Sequence, residues 1–219
     1  MRRRRSFHSK SERDTLLILS QDTGGAFEYL RQSFDKKVLN NDLVVSVQGT
    51  GHMSQTMLSD ARRALAGTSR GYPHSVYVML VVDRDDDPGL SAVVNAALQS
   101  KDIEVFVSVP CIEYYFMLHF GNDRPSMNSF SDLLPYLRVY PGFAKYSKNR
   151  TAVPIALMSE LSATARTNAT LVRTGCEQDG ATGPRSDLDL LYDALDTASV
   201  SGLQGLRASR SIRDLSRFK

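Results

Sequence analysis

Apolar and polar positions alternate in blocks along the first half of the chain. Thr15-Leu16-Leu17-Ile18-Leu19-Ser20 is a short apolar run of the kind found in strands buried on both faces. After Gly24-Gly25, the residues Phe27, Leu30, Phe34 and Val38 recur at spacings of three and four, which predicts a helix. The alternation returns with Leu43–Val47 and a helix near 53–66, then with Val76–Val82 and a helix near 90–99. A fourth strand, Ile103–Val107, closes the series. This order predicts an α/β fold, a mostly parallel four-stranded sheet flanked by helices, with its chemistry beyond the carboxyl ends of the strands. Those ends are residues 20–25, 48–52, 83–87 and 108–113.

From Pro110 onward the pattern is helical, at about 110–120, 129–138, 152–168 and 187–198. Thr174 to Ser186, with Gly175, Gly180, Gly183 and Pro184, reads as an exposed loop. Asp187, Asp189, Asp193 and Asp196 accompany Leu188, Leu191 and Leu195, the pattern of the wet face of an amphipathic helix. The expected organisation is a basic arm over 1–13, an α/β core over 14–125 and a helical extension over 126–219 packed on it.

Composition narrows the class. With 219 residues, 42% of them hydrophobic, the chain can bury a proper core. Its longest apolar run, Val76–Val82, falls far short of the roughly 20 residues of a bilayer span. Leu16–Leu19 is too short for a signal-peptide core, so a cytoplasmic protein is expected. Cys111 and Cys176 have no metal-ligand spacing and are expected as reduced thiols. The net charge of +3 is uneven, because residues 1–13 carry six Lys and Arg against one Glu. An arm containing Arg2, Arg3, Arg4 and Arg5 suits nucleic-acid phosphates, and equally a solubilising tail.

Two segments carry candidate chemistry. In Asp83-Arg84-Asp85-Asp86-Asp87-Pro88, carboxylates crowd the end of a buried strand, and clustered oxygen ligands there suit a hard cation such as Mg²⁺. Asp83 and Asp85 are the expected ligands, while Asp86 and Asp87 are expected to cap the next helix. In Ser108-Val109-Pro110-Cys111-Ile112-Glu113, Pro110 suits a first helical position, and Glu113 then faces the helix dipole. His119 reads as a core histidine. Lys145, Lys148 and Arg150, interleaved with Phe143 and Tyr146, suit either a phosphate or a solvated loop. The chain contains no phosphate-binding loop, no His-Glu-x-x-His and no Gly-x-Ser-x-Gly.

The basic arm, the first strand, Val82-Asp83-Arg84-Asp85 and Pro110-Cys111-Ile112-Glu113 together resemble the RloB family, whose members look like Toprim-domain nucleases. That family shows Ser-Asn-Pro-Cys-Phe-Glu before an apolar helix ending Leu-His-Phe, and here Ser108–Glu113 is followed by Leu118-His119-Phe120. The resemblance covers roughly residues 1–150. It implies a Toprim-like site in which a Glu after the first strand and an Asp-x-Asp after the third bind Mg²⁺. Asp83 and Asp85 match the second element. Ser20-Gln21-Asp22 stands where the family has Cys-Glu-Gly, so Gln21 can accept a hydrogen bond or coordinate but cannot take a proton. Either the neighbouring Asp22 substitutes, or activity is lowered, or catalysis is lost. The resemblance further implies Glu113 as a ligand or water-orienting group, and Lys145, in Phe143-Ala144-Lys145, as the counterpart of a Tyr-x-Lys element contacting phosphate.

The function so implied is a Mg²⁺- or Mn²⁺-dependent nuclease acting on DNA or RNA, the effector of an anti-phage defence system. Its partner would be an ABC/SMC-type ATPase encoded nearby, and homo-oligomers are compatible with it. Two alternatives remain at this point. One is an impaired Toprim-like subunit, with Gln21 for Glu, that binds nucleic acid or a partner. The other is an Asp-x-Asp transferase or phosphatase, disfavoured because Asp87 stands where a phosphatase wants Thr or Val.

Overall fold

In a computed structural model of the chain, residues 13–39, 43–68, 74–84, 87–148 and 153–209 are described. The first half runs β1 (Thr15–Ser20), α1 (Gly25–Phe34), β2 (Val44–Gly49), α2 (Ser54–Thr68), β3 (Val76–Asp83), α3 (Leu90–Gln99) and β4 (Ile103–Val109). The second half runs α4 (Glu113–Met117), α5 (Phe130–Leu137), α6 (Ile155–Glu160), α7 (Ser162–Asp179), β5 (Arg185–Ser186) and α8 (Leu188–Ser209). Strand order is β2-β1-β3-β4-β5, parallel except for β5, which pairs antiparallel with β4.

The doubly apolar strands have the cause inferred from their pattern: alternate side chains enter two different cores. Leu16, Ile18, Tyr77, Met79 and Phe106 pack against α1, α4 and the C-terminal helices. Leu17, Leu19, Val78, Leu80 and Val105 pack against α2 and α3. The sheet is therefore the middle of three layers. Its β2 edge is covered by the segment after α1: Lys36 N–H donates to Val45 O, Val45 N–H to Lys37 O, and Val47 N–H to the Asp35 carboxylate.

Five strands stand where four were expected. The fifth lies in the segment read as an exposed loop, because Arg185 and Ser186 are buried and Ser108 Oγ and Ser186 Oγ lie 2.9 Å apart. Helix α7 also runs beyond the expected end at 168, stopping where Gly180 takes φ +70°. The helix expected over 152–168 is divided into α6 and α7, and α8 continues past 198 with a break at Gly202. Pro110 precedes α4 by three residues and does not occupy its first turn.

The wet-face reading of the acidic run holds for only half of it. Asp193 and Asp196 are exposed and pair with Arg166 at 2.6 and 2.8 Å. Asp187 and Asp189 are buried instead, because each has an arginine and hydrogen-bond donors beside it. Asp187 pairs with Arg185 at 2.8 Å and accepts from Val107 N–H, while Asp189 pairs with Arg173 and accepts from the Thr170 hydroxyl.

Candidate functional site

From β1 the chain crosses to β2 on one side, and the next crossover brings β3 to the other side of β1. The carboxyl ends of β1 and β3 therefore flank the crevice where open α/β sheets bind ligands. Gln21 leaves β1 there and bridges the crevice, its side-chain oxygen accepting from Asp83 N–H at 3.1 Å. Asp83 is the last residue of β3 and is buried. Its Oδ1 accepts from Ile112 N–H at 2.8 Å and its Oδ2 lies 3.5 Å from Lys148 Nζ. Glu113 opens α4 in full burial. Its Oε1 accepts from the Tyr146 hydroxyl at 3.1 Å, and its Oε2 has no hydrogen-bond partner among the described residues.

Burial dominates the electrostatics. It pushes Asp83 up to about 7, helped by the Glu113 charge and opposed by Lys148 and the Ile112 N–H. Glu113 is raised for the same first reason, with Lys148 opposing. Burial alone would lower Lys148, but the charges of Asp83 and Glu113 outweigh it and hold the ammonium protonated. Lys148 also sits 5.2 Å from the centre of the Phe130 ring. Cys111, pushed well up by burial and by Glu113 and Asp83, stays a thiol.

A distant loop reaches this crevice because Gly24 and Gly25 have no side chains. A Cβ on Gly24 would lie 2.0 Å from the Lys148 carbonyl oxygen, and one on Gly25 2.8 Å from the Tyr146 hydroxyl. The glycine pair thus admits Tyr146-Ser147-Lys148, with Arg138 holding the Tyr146 carbonyl at 3.0 Å. Asp22 fixes the same turn, accepting from Gly24 N–H at 3.0 Å and Ala26 N–H at 3.1 Å at the start of α1.

Of the sequence candidates, Gln21, Asp22, Asp83, Glu113 and Lys148 come together. Lys145 is exposed, and it is Lys148 that reaches the carboxylates. The aromatic-x-Lys element facing the site is therefore Tyr146-Ser147-Lys148, three residues beyond Phe143-Ala144-Lys145. Tyr146 as the partner of Glu113 was not foreseen; the literal Tyr-x-Lys spelling of 146–148 was the available signal. Asp85, Asp86 and Arg2 to Arg5 lie outside the described residues. Asp87 is structural, accepting from Gly89 N–H and Ser54 N–H where α3 and α2 begin. His119 is a core residue: its Nδ1 lies 3.0 Å from Tyr115 O, and burial lowers its pKa to about 4.

Among the described residues no three His, Cys, Asp or Glu side chains form a ready metal cage. The donor chemistry nevertheless fits Mg²⁺, which takes one or two carboxylates and completes its shell with water and substrate phosphate. Two buried carboxylates converge here, and Glu113 Oε2 has no hydrogen-bond partner among the described residues.

The sequence model of a protein family described as RloB-like protein matches residues 25–195, well over half of the chain. No curated protein and no solved structure matches it.

Proposed function

The chain belongs to the RloB-like protein family, and from that premise we propose that it is a Toprim-like, Mg²⁺-dependent nuclease hydrolysing phosphodiesters of DNA or RNA. We infer that it is the effector of an anti-phage system working with an ATPase partner. The observation that carries this reading is the pair of buried carboxylates, Asp83 and Glu113, facing Lys148 at the strand-order reversal of a parallel sheet. Mg²⁺ held by Asp83, Asp85 and Glu113 would supply Lewis-acid stabilisation of charge on the phosphate. Lys148 adds a positive charge in a largely desolvated place, where it counts for more than in water. Gln21 orients the Asp83 backbone and takes no proton. Asp22 holds the β1–α1 turn with both carboxylate oxygens, so its first task is positional.

The test incubates the full chain with supercoiled plasmid and with an RNA pool, in Mg²⁺, Mn²⁺ or EDTA, alone and with any ABC/SMC-type ATPase that its gene neighbourhood encodes. Metal-dependent cleavage is expected, and Asp83→Asn, which removes a charged metal ligand, is expected to abolish it. Absence of cleavage under every condition would remove the nuclease reading. The amide at Gln21 favours a second reading, a binding subunit that has lost its catalytic carboxylate. Gln21→Glu separates the two: a nuclease gains rate, and a subunit that only binds stays inert.

A further inference from the structure

Beside the carboxylate crevice, one place further along the same sheet edge, lies a cavity of about 270 Å³. It is lined by Arg84, Val109, Pro110, Met127, Asn128, Thr182 and Gly183. Its walls come from the residue after Asp83, from the chain just before the Ile112 amide that holds Asp83, and from the turn before β5. Arg84 is tied in by its backbone, with N–H donating to Ser108 O at 2.9 Å. Its guanidinium has no ion-pair partner among the described residues, unlike the paired Arg124, Arg166, Arg173 and Arg185. Arg84 is only partly buried, so its guanidinium needs no carboxylate partner for stability and is available to an anionic ligand entering the cavity. The cavity is too small for a folded partner and of the size of one nucleotide. Its chemistry is mixed in the same sense: a planar cation for phosphate, Asn128 and Thr182 for hydrogen bonds, and Met127 and Pro110 as apolar walls for a base.

We propose that this cavity is a nucleotide subsite, in which Arg84 grips the phosphate of the unit next to the one presented to Asp83 and Glu113. The assignment rests on the nuclease reading for its orientation, and its test does not require cleavage. A fluorescein-labelled 12-nucleotide single strand, as DNA and as RNA, is titrated with the full chain in EDTA, and anisotropy is read across a salt series. Arg84→Gln is expected to weaken binding about tenfold and to lower the salt slope by about one. Arg62→Gln, which removes a charge from the exposed face of α2, is expected to change affinity less than twofold. Asn128→Ala is expected to cost about threefold, the scale of one neutral hydrogen bond. Melting temperatures of the variants establish that they are folded.

Equal binding by wild type and Arg84→Gln would overturn the subsite, as would equal losses in the Arg84 and Arg62 variants or no binding by wild type. Displacement of the strand by a nucleoside monophosphate as effectively as by unlabelled strand would assign the cavity to a free nucleotide and overturn the proposal. If Arg84→Gln loses affinity while the wild type cleaves nothing in Mg²⁺, the subsite stands and the nuclease reading falls. If the wild type cleaves and the Arg84 variant binds normally, the reverse holds.

Discussion

A buried imidazole ties the stability of this protein to pH. His119 is 1% exposed, and burial lowers its pKa from 6.5 to about 4, so it is neutral in the native state at neutral pH. Between those values the unfolded chain binds the proton and the folded chain does not, and stability is lost as pH falls from about 6.5 through 4. The loss amounts to on the order of 2–3 kcal/mol from this residue. His119→Gln removes the titration. Urea melts at pH 7 and pH 4.5 should show the variant gaining on wild type at the lower pH, and an unchanged gap would exclude His119 as the cause. Single residues were unevenly legible. Asp83 and Glu113 could be read from local sequence because each ends or begins an element at the sheet edge. Lys148 could not be separated from Lys145, since aromatic-x-Lys occurs twice within six residues. Which lysine turns inward is decided by the approach to Gly24, about 120 residues away in the chain.

At the scale of elements, the four long strands were legible because each is an apolar run feeding two cores. The two-residue β5 was not, since Arg185 and Ser186 carry no periodicity and their burial depends on Asp187 and β4. The buried Arg185–Asp187 pair makes the difference measurable. Asp187→Ala removes an acceptor of Val107 N–H and leaves the Arg185 charge in a buried place without that carboxylate. The expected loss is about 3–5 kcal/mol. Asp193→Ala, on the same helix but at an exposed pair, should cost less than about 1 kcal/mol. Guanidinium denaturation distinguishes the two, and equal costs would mean that the buried pair contributes no more than a surface one.

For the molecule as a whole, the loop carrying Tyr146 and Lys148 joins the C-terminal helices to the turn after β1. Gly24→Ala tests that joint. A methyl 2.0 Å from the Lys148 carbonyl must push the loop outward, at about 1–3 kcal/mol, and take Lys148 away from Asp83. The expected result is a lower melting temperature together with faster proteolytic cutting near 143–148; an unchanged cutting pattern would mean that the loop is held elsewhere. The sheet's margins bear on assembly. The β2 margin is sealed by Asp35, Lys36 and Lys37, which take the outward amides of Val45 and Val47 and the Val45 carbonyl, whereas β5 pairs with only Ser108 and Val109 of the seven-residue β4. A companion subunit, or a second copy of this chain, therefore finds no row of free amides and carbonyls over residues 45–47 of β2. Strand addition at that margin is thereby pre-empted by contacts that the chain makes with itself.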